Sequence, residues 1–442
     1  MVRPERAHGF RRPNLAGRLY LRLDGADRAA QIFYILDITG RVDPAALRRA
    51  LAGLLDDIPQ LRSRVVRRWY GYRREIRAAE DLRDADLDAI LTVSAGENAV
   101  DAFLQRPPNL RGEPPIHVLL HQGRAHDELV VAVHHSVTDG RGMLIVLARL
   151  GERYEEAMSG TPAPPATPPR PEPRYRDLLA SLAWRDRWTA FRRAVRYVRD
   201  GARLPGSPAP VALATFLDVP LPARGRLRYV RIGLSVQQVA RLTEWATARQ
   251  CTRTDVLLTA SLCAALRVWP AQAARPIAVS LPVNLRSAAD VDVANRVGVL
   301  DFQVRAGTFD TILAQVSTAT ARARERRPAI VNVFTFALAS CLPPAVFEWL
   351  ARRYFNQTVN VRESLTFTYL GGASGGPQRF GPAIVADSVL LSSVVAPPGV
   401  KIQVSPHGGR LNLSVAYLDP AISPASVSAF TAAVRAELDA LG

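Results

Sequence analysis

Residues 127–135, Asp-Glu-Leu-Val-Val-Ala-Val-His-His, are too continuously apolar for a strand with one wet face, so they read as a strand buried on both sides. The next residues, Ser136-Val137-Thr138-Asp139-Gly140, carry turn chemistry, and Met143 to Met158 repeats apolar residues at helical spacing. A buried strand, a tight turn and a helix in direct succession restrict the fold to layers of helix on sheet.

Several other elements can be read in the same way. Gln31 to Ile38 is a β-rich apolar run. Asp43-Pro44 opens a helix, with aspartate as cap and proline in the first turn, and Leu47, Leu51, Leu54 and Leu55 follow on one face. Leu61 to Tyr72 reads as extended, and Thr254 to Trp269 as a buried helix. Strands are expected at Ile277–Leu281, Val297–Val304, Ser364–Leu370, Ser388–Val394 and Leu411–Tyr417, with a last helix from Pro424 to about Leu441. The prolines of Thr161 to Pro173 favour an extended chain, read as a linker rather than a loop within one domain. Asp177 to Val198 follows as an arginine-rich amphipathic helix. The fold class expected is α+β in two halves, residues 1–160 and 177–442, joined by 161–176.

Charge bears on partners. The net charge is +17, and of the 57 basic residues only Lys401 is a lysine. The arginines are spread along the chain and no aromatic-basic motif accompanies them, so coding bias is preferred to nucleic-acid binding. A basic surface still attracts anionic partners. Cys251, Cys263 and Cys341 are too few and too far apart for a disulfide framework or a metal cluster, which fits a cytoplasmic setting. Met1 to Tyr20 lacks the apolar core of a signal peptide.

The chemistry-bearing residues cluster at the strand-to-helix junction. Adjacent strand residues point to opposite faces, so only one of His134 and His135 can face a given cavity. Asp139 can fold back toward the histidines, and Gly140 can take up torsions closed to other residues. A base, a carboxylate and a tight turn suit proton abstraction, since an ordinary imidazole titrates at about 6.5. The alternatives are a structural histidine and half a metal site; the opposed directions of the pair argue against the second. Gly372 to Gly376 formally reads G-x-S-x-G, but the prolines that follow favour a loop over a nucleophile elbow. Ala337 to Phe355 could lie on a membrane, although a core helix broken at Pro343-Pro344 is the preferred reading.

The run His134 to Gly140 resembles HHxxxDG, the signature of the superfamily of condensation domains, polyketide-associated acyltransferases, wax ester synthases and chloramphenicol acetyltransferase. Residues 36–43 with Ala46-Leu47 and Ala50-Leu51 resemble its first strand and helix. Residues 58–62, Ile-Pro-Gln-Leu-Arg, resemble its HPxLR segment with Ile58 in place of histidine, and residues 282–286 resemble its PVNLR segment. Asn295 to Gly298 and Thr368 to Gly371 resemble its later GN and SNLG segments. The resemblance implies two chloramphenicol-acetyltransferase-like lobes in a V around a tunnel, with His135 as the general base at its centre. It implies a structural role for Asp139, for which Arg286 of the second lobe is the candidate partner, and a site completed by His134 and Gly140. Asn295 and Thr368 are candidates for the tunnel wall or the oxyanion site.

The activity implied is acyl transfer from a phosphopantetheine thioester, on coenzyme A or a carrier protein, to an alcohol or amine, with esters favoured. It implies a monomer working in secondary metabolism, with no metal and no tightly bound cofactor. The rival reading is a family member that only binds a carrier protein or catalyses a different reaction.

Overall fold

The computed structural model describes residues 10–11, 21, 30–68, 71–79, 84–106, 109–164, 182–199, 214–219, 225–286, 292–324, 329–330, 346, 364–371, 376–394 and 399–441. The chain divides into two compact units. The first comprises 1–172, 286–296 and 373–393; the second comprises 173–285, 297–372 and 394–442. Most of the expected linker, the serine of the G-x-S-x-G run and all of Ala337–Phe355 but Val346 lie outside the described residues.

The first unit contains a six-stranded sheet in the order Arg379–Phe380, Ala383–Ser392, Gln31–Thr39, Asp127–His134, Ile116–Gln122, Leu91–Ser94. The apolar run expected to be buried on both faces is the strand Asp127–His134, in which every residue but Glu128 is buried, and it pairs with Gln31–Thr39 and Ile116–Gln122. Helix Pro44–Asp57 is capped as its sequence suggests, the Asp43 side chain accepting from the Ala45 N–H at 2.7 Å. Its Leu47, Leu51, Leu54 and Leu55 are all buried. Helix Gly140–Ser159 buries Met143, Val146, Leu147, Leu150 and Tyr154. Asp57 fastens the two helices together. Its carboxylate accepts from Arg149 Nε at 2.5 Å and from Arg153 Nε and NH2, each at 2.6 Å. Burial pushes the Asp57 carboxyl up, but the two guanidiniums outweigh it and hold it below the usual range. The helix that follows the histidine turn is thereby fixed by charge as well as by packing.

The first unit also takes in two segments that the sequence assigns to the second half. Strand Ala383–Ser392 pairs antiparallel with Gln31–Thr39. Without it, the outer edge of Gln31–Thr39 would leave buried backbone groups without ladder partners. In the other segment, 286–296, Arg286 and Asn295 bond to the histidine turn, at Asp139 and at His135.

The second unit has its own six-stranded sheet, in the order Val297–Val304, Ile277–Asn284, Leu365–Tyr369, Val400–His407, Arg410–Asp419, Arg226–Leu234. Leu365–Tyr369 runs parallel to both neighbours. Helix Arg253–Val268 is buried along most of its length, as its unbroken apolar content suggests. Helices Val236–Ala248, Phe309–Arg324 and Pro424–Asp439 complete the unit, and the arginine-rich helix is found at Trp184–Arg199. Both units mix helix and sheet, which is the α+β class expected.

Candidate active site

The strand ends at His134, and the chain turns at once: the Val137 N–H donates to the His134 carbonyl at 2.9 Å. His134 is fully buried. Its Nδ1 accepts from the Ser136 backbone N–H at 3.1 Å and lies 2.8 Å from Ser136 Oγ. A nitrogen that accepts from an amide carries a lone pair, so the neutral ring holds its proton on Nε2. His134 therefore ties the turn to the strand from inside the core.

His135 is only partly buried and meets different partners. Its backbone N–H donates to the Ala30 carbonyl at 2.6 Å. Ring Nδ1 lies 3.0 Å from the Thr138 carbonyl oxygen, which can only accept, so Nδ1 carries the proton and Nε2 keeps its lone pair. Asn295 completes the clamp: its Nδ2 donates to the His135 carbonyl at 2.9 Å and sits 2.8 Å from Nδ1. A donor amide and a protonated Nδ1 conflict at that contact. The Thr138 oxygen can only accept, so the Nδ1 proton is assigned to it, and the Asn295 amide keeps its bond to the His135 carbonyl while flanking the ring.

Asp139 does not orient the imidazole. Fully buried, it caps helix Gly140–Ser159, Oδ1 accepting from the Gly142 N–H at 2.9 Å. Oδ2 accepts from Arg286 NH1 at 2.6 Å and from the Arg296 N–H at 2.7 Å. The expected Asp139–Arg286 pair is thus formed, with both side chains at most 2% exposed, but it lies within the first unit. Arg286 also donates to the carbonyls of Ala294 and Asp292, so one guanidinium fastens the segment that carries Asn295 to the turn that carries His135. Thr368 sits in the second unit, on the strand Leu365–Tyr369.

The glycine with a steric role is not the expected one. Gly140 has no left-handed φ. A Cβ on Gly142, by contrast, would stand 2.3 Å from Thr138 Oγ1 and 2.4 Å from the Val293 carbonyl oxygen. Only glycine lets the helix, the turn and segment 292–296 meet. A glycine in the first turn of a helix costs about 1 kcal/mol relative to alanine, which was the available signal. Arg74 was also missed. It is buried and its NH2 donates to the Ser136 carbonyl at 2.6 Å. Nothing in the sequence separates it from the many other arginines.

The comparisons with known proteins bear on this arrangement. The profile described as "Condensation domain" matches residues 20–300, well over half of the chain and including the histidine turn. The chain belongs to the condensation-domain family. Among solved structures, this condensation-domain chain resembles the first condensation domain of the calcium-dependent antibiotic synthetase, with a TM-score of 0.70 at 17% identity, covering 98% of this chain and 96% of that one. It also resembles polyketide synthase associated protein 5 from Mycobacterium tuberculosis, with a TM-score of 0.63 at 18% identity and 98% of each chain covered. The epimerization domain from the third module of tyrocidine synthetase B gives a TM-score of 0.64 at 16% identity, with 98% of this chain and 97% of that one covered. The TM-scores and coverage show a shared fold. A search of curated proteins by sequence gives no match.

Gly142 offers a direct check on the assembly of the site. Gly142→Ala forces Thr138 and the Val293 backbone apart, at an overpacking cost of about 1–3 kcal/mol. The melting temperature should fall, and turnover should fall further than stability explains, because Thr138 and Asn295 both orient His135. A variant with unchanged stability and turnover would show that the contact is relaxed in solution.

Proposed function

We propose that the chain is an acyltransferase that moves an acyl group from a phosphopantetheine thioester to an alcohol or amine, with esters the favoured product. The observation that carries this reading is the His135 ring, held at Nδ1 by the Thr138 carbonyl and with Nε2 left as a base. Nε2 takes the proton of the attacking hydroxyl or amine as the new C–O or C–N bond forms. The tetrahedral oxyanion needs donors, and the Gly140 N–H at the start of the helix is the candidate. Collapse breaks the C–S bond, and Nε2 returns the proton to the thiolate. Asn295 is the positioning residue that keeps the ring in register.

The donor, on coenzyme A or a carrier protein, is anionic, which matches the net charge of +17. The test offers one acyl group on coenzyme A, on an acidic carrier protein and on a short pantetheine thioester, across a salt series. One of the two larger donors should outpace pantetheine at low salt. The gap should close as the screening length falls from about 10 Å at 0.1 M to about 3 Å at 1 M. Equal rates for all three at every salt would overturn the electrostatic part. A thioester returned with an inverted stereocentre, and no transfer product from any donor, would replace acyl transfer with epimerisation on the same fold.

A further inference from the structure

The helix Trp184–Arg199 carries an apolar ridge facing outward. Trp184, Trp188, Phe191 and Val195 are 71%, 54%, 46% and 48% exposed. Their spacing of four, three and four residues puts them on one narrow stripe, roughly 16 Å long at 1.5 Å per residue. The opposite side holds the helix to its own unit: Ala190 is fully buried with Leu182 and packs against Ile330. Trp188 and Phe191 are stacked, ring centroids 5.6 Å apart, so the ridge is a continuous surface and not four isolated side chains. Single exposed apolar residues are ordinary; a line of two tryptophans, a phenylalanine and a valine is not.

The charges on this helix say what meets the ridge. It has six arginines and one aspartate. At 100° per residue, Arg185 and Arg192 fall on one shoulder of the stripe and Arg187 on the other. Arg185, Arg187 and Arg192 are exposed, and the Arg185 guanidinium lies 6.0 Å from the Trp184 ring. Such side chains keep their heads in a polar, anionic layer while their stems and the rings between them enter an apolar one. A folded protein partner would need a groove cut to this ridge, whereas a bilayer interface supplies apolar depth, anionic headgroups and tryptophan-compatible polarity at once. Sixteen residues with six arginines cannot span a bilayer. We infer that Trp184–Arg199 is an interfacial helix that docks this chain on an anionic lipid surface. The inference stands apart from the acyl-transfer reading, since none of these residues belongs to the site around His135.

The experiment is flotation of the full chain with vesicles of phosphatidylglycerol and phosphatidylcholine, against vesicles of phosphatidylcholine alone. A chain this basic adheres to any anionic surface by charge, so the decisive variant removes apolar surface and no charge: Trp184→Ser, Trp188→Ser and Phe191→Ser together. Wild type should bind the anionic vesicles, retain part of that binding at 1 M salt, and have its tryptophan emission shifted to the blue and quenched by brominated lipid. The triple variant should bind about tenfold or more weakly, because the transfer of the aromatic surface is lost. It should keep its circular dichroism and melting temperature, since the three side chains are exposed. Binding equal to wild type in the variant, or binding abolished at 1 M salt without quenching, would mean charge alone acts and would overturn the inference. So would tryptophan emission already blue and unresponsive to vesicles, which would mean that the chain itself covers the ridge.

Discussion

Replacing His135 with alanine is expected to lower turnover by about 10²–10⁴-fold while the melting temperature stays close to wild type, the range typical for loss of a general base. The expectation rests on geometry. His135 is partly exposed and its Nδ1 is engaged by the Thr138 carbonyl. His134→Ala should do the reverse. That ring is fully buried and holds the turn through Ser136, so its loss opens a cavity and leaves a buried amide without an acceptor, which lowers stability first. Product quantified by mass spectrometry and thermal melts on the same samples separate the two effects. Near-normal turnover in folded His135→Ala protein would remove the general-base assignment, whatever the fold.

The second large effect concerns the buried ion pair. Removing either Asp139 or Arg286 alone should cost about 3–5 kcal/mol, because the other charge stays buried without its partner. The Asp139 loss should be the larger of the two. Its carboxylate also accepts from the Gly142 and Arg296 amides, so three donors lose their acceptor together. When only Arg286 is removed, the two amides remain to satisfy the carboxylate in part. The double replacement should fall short of the sum by about 0.5–3 kcal/mol, as expected of residues in direct contact. Denaturant unfolding of the four proteins measures this. Strict additivity would show that the pair is not coupled in solution. Turnover should fall in all three variants, since Arg286 also fastens the segment that carries Asn295.

Much of the fold was legible where local pattern and burial agree. Val297–Val304 has the bounds read from the sequence, and Asp127–His134 and Pro44–Asp57 match within two residues or carry the expected cap. Strands with weaker local signals were missed. Arg226–Leu234 places arginine at three of nine positions, and Val400–His407 contains Pro406 near its end. Both are strands because Arg410–Asp419 pairs with them on its two edges, a long-range condition that no window of sequence contains.

For the site, the seven residues 134–140 announced a base and a turn, and the two histidines take different partners, His134 meeting Ser136 in the core and His135 meeting Thr138 and Asn295. The structural role expected of Asp139 is found, and the group that meets the ring is a different one. Asp139 is the nearest charged residue in sequence, but its side chain is taken up by the helix N-terminus and by Arg286, and the Thr138 carbonyl faces the ring instead. Backbone groups are identical at every position, so sequence cannot say which of them will meet a side chain.

By itself, then, the sequence determined where the buried strand ends to within one residue, that only one of two adjacent histidines can face a given cavity, and which family pattern the turn follows, because these depend on near neighbours in the chain. Only the tertiary structure decided that residues 286–296 and Ala383–Ser392 belong with the histidine turn and that Gly142 must be glycine. It alone decided that Arg74 reaches Ser136. Those facts depend on contacts between residues tens to hundreds of positions apart. Such contacts form when a strand edge, a buried carboxylate or a crowded backbone needs a partner, and local patterning does not say which distant residue will supply it.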